Sequence, residues 1–176
     1  MVDAETLARL SASRWFMPAM AMAHEGGGFR VAALLHRLGT SRSMVRRVVE
    51  QLVAYGWIAS NPGHGHPLRP DYVLRGEGAA IAAWCAEVMA ARRRLGLEPG
   101  DLGRWSLPVL RSVAPGWRRF SQLEEALDPI TPRALSTTLK GLIGQRLVTR
   151  QLQESFPPTA IYGVTGRGSL LAEALA

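Results

Sequence analysis

The sequence has a single cysteine, Cys85, and a single lysine, Lys140. One cysteine excludes an intramolecular disulfide and a cysteine-built zinc site. It also fits a reducing, cytoplasmic setting. Long apolar runs are missing. The longest stretch, Gly78 to Ala91, carries Glu87 and falls short of the ~18 residues of a membrane span. The opening Met1-Val2-Asp3-Ala4-Glu5 is acidic and lacks the basic-then-apolar layout of a signal peptide. No membrane partner is expected. Aromatics make up only 7% of the chain, so Trp15, Trp57, Trp84 and Trp105 read first as core anchors. Paired carboxylates, Ser/His/Asp sets and Cys/His sets are absent as convincing arrangements, so no enzyme is expected. Gly26-Gly27-Gly28 is no phosphate loop, because no strand precedes it and no Gly-Lys-Ser/Thr follows. His64-Gly65-His66 lacks a third ligand and reads as a turn, so neither metal nor cofactor is expected. Acidic residues are outnumbered, 14 against 21 basic, for a net charge of +7. That balance points to anionic partners, nucleic acid before membrane surface.

What is present is an internal repeat. At 176 residues the chain has room for one medium domain or two small ones. Arg14-Trp15 recurs as Arg104-Trp105, 90 residues on. At the same offset Pro18 meets Pro108, Leu52 meets Leu142, Tyr72 meets Tyr162 and Gly78 meets Gly168. The matched positions are apolar, aromatic or turn-forming, the kinds that set a fold. The chain therefore reads as a unit used twice.

The second copy is the clearer. Arg104 to Ala114 is helical by its apolar spacing and ends at Pro115-Gly116. Trp117 to Phe120 is a short extended piece. Ser121 is placed to cap a helix over Gln122–Leu127, with Glu124 closing a capping box. Thr131-Pro132 then reads as N-cap and first helical position of a helix to about Gly144. Leu147–Gln153 and Thr159–Thr165 form a hairpin, and Gly166–Ala176 a closing helix. In the first copy, helices are expected over Arg14–Ala23, Phe29–Leu38 and from Thr40 or Ser41 to Tyr55. Trp57–Ser60 and Asp71–Arg75 are wing strands, and Glu77 to Leu95 a linker helix. Met44, Val45, Val48, Val49, Leu52 and Val53 should form the buried stripe of the third helix.

Helix, short helix, turn, helix, hairpin is the order of a winged helix-turn-helix, whose second helix enters the major groove. The outward face of that helix carries Arg133, Ser136, Thr137 and Lys140 after Thr131, with no acid. Its counterpart carries Arg42, Ser43, Arg46 and Arg47 beside Glu50. Arg and Lys donate to phosphate or to guanine O6 and N7. Arg69, at the first wing tip, is a candidate minor-groove or phosphate contact. Both halves are basic: residues 1–96 hold 12 basic and 7 acidic residues, and 97–176 hold 9 and 7.

Several blocks carry a family resemblance. They are Arg104-Trp105, Arg119-Phe120-Ser121-Gln122-Leu123, Ile130 to Ser136, Leu147 to Arg150, Pro157-Pro158 and Tyr162 to Gly168. Residues 104–172 resemble the HxlR family of bacterial winged-helix transcriptional regulators. The resemblance implies a DNA-binding regulator that works as a homodimer. Two departures stand out. The redox cysteine that family members often carry before the Arg-Trp pair is absent from Leu97–Gly103. The usual glycine before the first wing strand is Arg146, so a different turn geometry is expected there.

The expected fold is α+β, mainly α: two tandem winged helix-turn-helix domains, 1–82 and 104–176, joined by a linker helix and loop over 83–103. The expected function is a sequence-specific transcriptional regulator, a repressor, on double-stranded DNA. A homodimer and a small-molecule effector, the latter in a pocket that a subset of the tryptophans lines between the two copies, are further expected partners. The competing reading is a tandem winged-helix scaffold that binds protein and not DNA. The basic outward faces of both third helices weigh against it.

Overall fold

The computed structural model describes residues 2–63, 70–98, 100–156 and 158–176. Helices dominate an α+β chain. In order it runs α1 (Ala4–Ser11), α2 (Phe16–Gly26), β1 (Gly28–Phe29), α3 (Val31–Leu38), α4 (Arg42–Ala54), β2 (Ile58–Ser60), β3 (Tyr72–Leu74) and α5 (Gly78–Arg94). There follow α6 (Ser106–Val113), β4 (Arg118–Arg119), α7 (Phe120–Ala126), α8 (Pro132–Gly144), β5 (Val148–Gln153), β6 (Thr159–Val164) and α9 (Gly166–Leu175). No described helix is long and apolar enough to cross a membrane.

Two compact units are formed. One is Ser13–Ala90, and the other joins Met1–Ala12 to Ala91–Ala176. The first contains a three-stranded sheet in the order β1-β3-β2, the second one in the order β4-β6-β5, all pairs antiparallel. Met20, Leu34, Leu52, Trp57 and Ile58 are fully buried in the first unit. Leu10, Leu110, Leu123, Leu135, Leu139, Leu142 and Leu147 are fully buried in the second.

Local chemistry repeats between the units. α2 and α6 each follow a tryptophan N-cap, Trp15 or Trp105, and hold a proline in the first turn, Pro18 or Pro108. Proline is tolerated there because first-turn N–H groups have no helical partner. Arg14 and Arg104 lie over the rings of Trp15 and Trp105, 4.4 and 5.5 Å from the centroids. Ile58 pairs with Leu74 as Val148 pairs with Val164. The Arg75 N–H donates to the Trp57 carbonyl at 2.9 Å, and the Thr165 N–H to the Leu147 carbonyl at 3.1 Å. Gly78 and Gly168 press against those same two carbonyls, where a Cβ would overlap the oxygen.

The structure corrects several expectations. Phe29 opens no helix. It pairs with Tyr72 in β1 and stacks on that ring at 5.9 Å, while Gly28 sits at φ +148°. α3 therefore starts at Val31, whose N–H donates to Asp71 Oδ2 at 2.9 Å. α7 begins before Ser121: the Arg119 N–H donates to Gln122 Oε1 at 2.8 Å, so Gln122, not Glu124, makes the reach-back bond. Val53 is 42% exposed and lies at the edge of the stripe rather than inside it. Arg146 adopts φ +57°, so the turn keeps a left-handed residue despite losing glycine. Residues 2–12, read from the sequence as part of the first domain, group with the second unit, and so does the end of α5. Arg111 Nη1 donates to the Val2 carbonyl at 2.7 Å and helps hold that segment. At the end of α5, Arg92 is buried and its Nη2 donates to the Glu98 carbonyl at 2.6 Å. Burial lowers its pKa, opposed by the nearby Asp101 and Glu98 carboxylates.

Candidate nucleic-acid interface

Ser41 caps α4 in an extended conformation, its Oγ accepting the Met44 N–H at 3.2 Å. Val45, Val48, Val49 and Leu52 then fall on one helical face and are buried. The 3.6-residue period puts Arg42, Ser43, Arg46 and Arg47 on the opposite face, and all four are exposed. Glu50 shares that face and binds Arg46 Nε at 2.8 Å. Both partners are well solvated, 81% and 59% exposed, so the pair is weak and competes little with an anion. Ser43 Oγ lies 3.0 Å from Ser41 Oγ, which ties its hydroxyl to the cap.

Thr131 caps α8 in the same way, Oγ1 accepting the Ala134 N–H at 3.2 Å, with Pro132 at the first position. Leu135, Leu139 and Leu142 are buried. Thr131, Arg133, Thr137 and Lys140 are exposed and Ser136 is half-buried. α8 contains no carboxylate. Neither Arg133 nor Lys140 has an ion-pair partner among the described residues. Two helical turns separate them, roughly 10 Å along the axis.

Of the sequence candidates, the structure thus presents Arg42, Ser43, Arg46 and Arg47 on α4, and Arg133, Ser136, Thr137 and Lys140 on α8 with Thr131 at its cap. Arg69, His64 and His66 lie outside the described residues. Among the described residues no group of three His, Cys, Asp or Glu could hold a metal ion. Cys85 is buried, and desolvation pushes its thiol up, away from the reactive thiolate.

Two further cations escape the sequence pattern. Arg118 on β4 and Arg150 on β5 both pair with Tyr162 on β6. Cross-strand partners share a face, so Arg118, Tyr162 and Arg150 form one row across the β4-β6-β5 sheet. Arg150 is exposed and Arg118 half-buried. The pairing is non-local, and only the alternation along β5 hints at Arg150. Trp117, 43% exposed, lays its ring on Gly163, where any Cβ would crowd it.

Residues 102–176 match the model of the HxlR-like helix-turn-helix family. Over 72 residues the chain is 33% identical to the uncharacterized HTH-type transcriptional regulator YvaP of Bacillus subtilis (strain 168), covering 41% of this chain and 67% of that protein. The chain belongs to the HxlR-like helix-turn-helix family. This HxlR-like chain is also 33% identical over 66 residues to an uncharacterized HTH-type transcriptional regulator of Methanothermobacter thermautotrophicus, covering 38% of this chain and 50% of that one. A Synechocystis regulator described in the same terms is 34% identical over 65 residues, covering 37% and 48%. The HxlR-like chain spans about half the length of these last two relatives. Among solved structures, the reduced form of the transcriptional regulator YodB from Bacillus subtilis is similar at a TM-score of 0.41 and 26% identity, covering 49% of this chain and 79% of that one.

Proposed function

We propose that this chain is a cytoplasmic, sequence-specific DNA-binding transcriptional regulator, a repressor that acts by occupying its operator. It carries two winged-helix modules, with α3–α4 and α7–α8 as the helix-turn-helix pairs and the β2–β3 and β5–β6 hairpins as wings. The observation that carries this reading is the outward face of α8. Arg133 and Lys140 stand there exposed, without ion-pair partners among the described residues, with hydroxyls between them and no carboxylate. Such a face suits phosphate and guanine edges. α4 adds three arginines against one glutamate. The shared caps, turn bonds and strand registers of the two units support reading α4 as a second reader. The two faces differ, so the preferred site is asymmetric. Arg69, Arg118 and Arg150 are further candidate contacts to the DNA backbone. A homodimer would present four reading helices on two-fold related half-sites.

Fluorescence anisotropy tests the reading, with the chain's own upstream DNA against a shuffled duplex of equal composition. Binding tighter to the native fragment by about a thousandfold is expected. Arg133→Ala and Lys140→Ala should each weaken it, by roughly 1–3 kcal/mol where a base is read. Equal affinity for both duplexes would remove the sequence specificity. No saturable binding to either at low salt would overturn the reading in favour of a protein-interaction scaffold.

A further inference from the structure

A half-open cavity of about 410 Å³ lies inside the unit that holds α1 and α6. Its walls are α1, α6 with the Arg104-Trp105 pair before it, and the turn from α7 to α8. Sequence explains the space. Leu7 and Leu10 of α1 are buried, while Ala4 and Ala8, one helical turn apart on the cavity side, offer only methyl groups. Leu7, Trp105, Pro108 and Leu127 give the cavity an apolar lining, and its volume is that of a small-molecule pocket.

Three charged residues border it: Arg104, Arg111 and Asp128. None has an ion-pair partner among the described residues. Arg111 is half-buried and partly fixed, with Nη1 donating to the Val2 carbonyl at 2.7 Å. Its other donors have no partner among the described residues. Arg104 lies over the Trp105 ring. Two guanidinium groups against one carboxylate disfavour a cationic ligand. Their planar forks suit a carboxylate, and the apolar lining of Leu7, Trp105, Pro108 and Leu127 suits an aromatic ring.

We infer that this cavity binds a small aromatic carboxylate, and that its occupancy regulates α8. Leu127 to Pro129 form one wall, and Ile130, 6% exposed, and the cap Thr131 follow at once. A ligand that moves this wall moves the first turn of α8, which carries Arg133. Such a ligand shifts the equilibrium only by its differential affinity for the two positions of the turn. The regulatory half rests on the DNA-binding reading above; the ligand site does not.

Calorimetry on the full chain tests the site, using benzoate and indole-3-acetate as probes and benzamide as the neutral counterpart. Saturable binding of at least one carboxylate is expected, with a Kd at or below about 1 mM. Benzamide should bind at least tenfold more weakly. Arg104→Gln removes an exposed side chain and should weaken the carboxylate about tenfold while sparing benzamide. Arg111→Gln should do the same where circular dichroism shows the fold intact. Ala8→Phe should block every probe. No saturable heat from either carboxylate up to about 10 mM, equal binding of benzoate and benzamide, or indifference to Arg104→Gln would overturn the site. The regulatory half is read separately, by anisotropy with and without the bound carboxylate. A shift in DNA affinity of threefold or more supports it, and unchanged affinity with the site saturated overturns it.

Discussion

Arg146 holds φ +57°, and its N–H donates to the Ile143 carbonyl at 2.9 Å. Ninety residues earlier Gly56 makes the same turn at φ +75°, with the same bond to Val53 at 2.9 Å. A side chain in this region costs roughly 1–2 kcal/mol, and glycine's extra freedom in the unfolded chain offsets part of the gain from removing it. Arg146→Gly should therefore stabilise the protein by about 0.5–1 kcal/mol, seen as a higher denaturation midpoint at unchanged slope. Gly168 faces the opposite constraint. Its Cβ would overlap the Leu147 carbonyl, a backbone atom that also accepts the Thr165 N–H. Gly168→Ala should cost about 2–3 kcal/mol, whereas Gly26→Ala, in open space, should be neutral or better. Cys85 is fully buried with its thiol pushed up. A thiol-titrating disulfide reagent should leave it unmodified in the native protein and label it only after denaturation.

At the scale of elements, α1 depends on one carboxylate. The Thr6 N–H, donating to Asp3 at 2.7 Å, is the main reason the Asp3 carboxyl titrates below its ordinary range. A depressed folded-state value means the cap's contribution is complete above the unfolded-state value, about 4, and fades as pH falls through the lower folded-state value. α1 amide resonances should thus be constant near neutral pH and shift in acid. Asp3→Asn keeps a good cap and should abolish that titration; its persistence would assign it elsewhere. The short strands show the limits of local reading. Arg118–Arg119 is legible as extended between Gly116 and the α7 cap, whereas the apolar neighbours of Phe29 point to a helix. Its strand exists because Tyr72 pairs with it, and Asp71 then caps α3 from forty residues away in sequence.

For the whole molecule, a net charge of +7 implies salt-dependent binding to DNA. Every cation removed from a DNA phosphate should reduce the slope of log affinity against log salt by about 0.9. Replacing Arg133 and Lys140 by alanine, and separately Arg42, Arg46 and Arg47, should flatten the slope in both variants if both units grip DNA. A change confined to the first variant would leave α8 as the sole reader. Thermal melts of both should match the parent, because all five side chains are exposed.

The amino-acid sequence alone determined the helices that carry the proposed interface. Ser41 and Thr131-Pro132 cap through bonds to the third residue on, and the buried stripes of α4 and α8 recur every three or four residues. Those interactions lie within one or two turns, so linear spacing encodes them. Only the tertiary structure decided where α1 belongs, because the Arg111 bond to the Val2 carbonyl joins residues 109 apart. It also decided the cavity, whose walls come from three separated segments. Space left by Ala4 and Ala8 exists only once α6 and the α7–α8 turn stand opposite them. A void is a property of several packed surfaces together, and no single segment's pattern contains it.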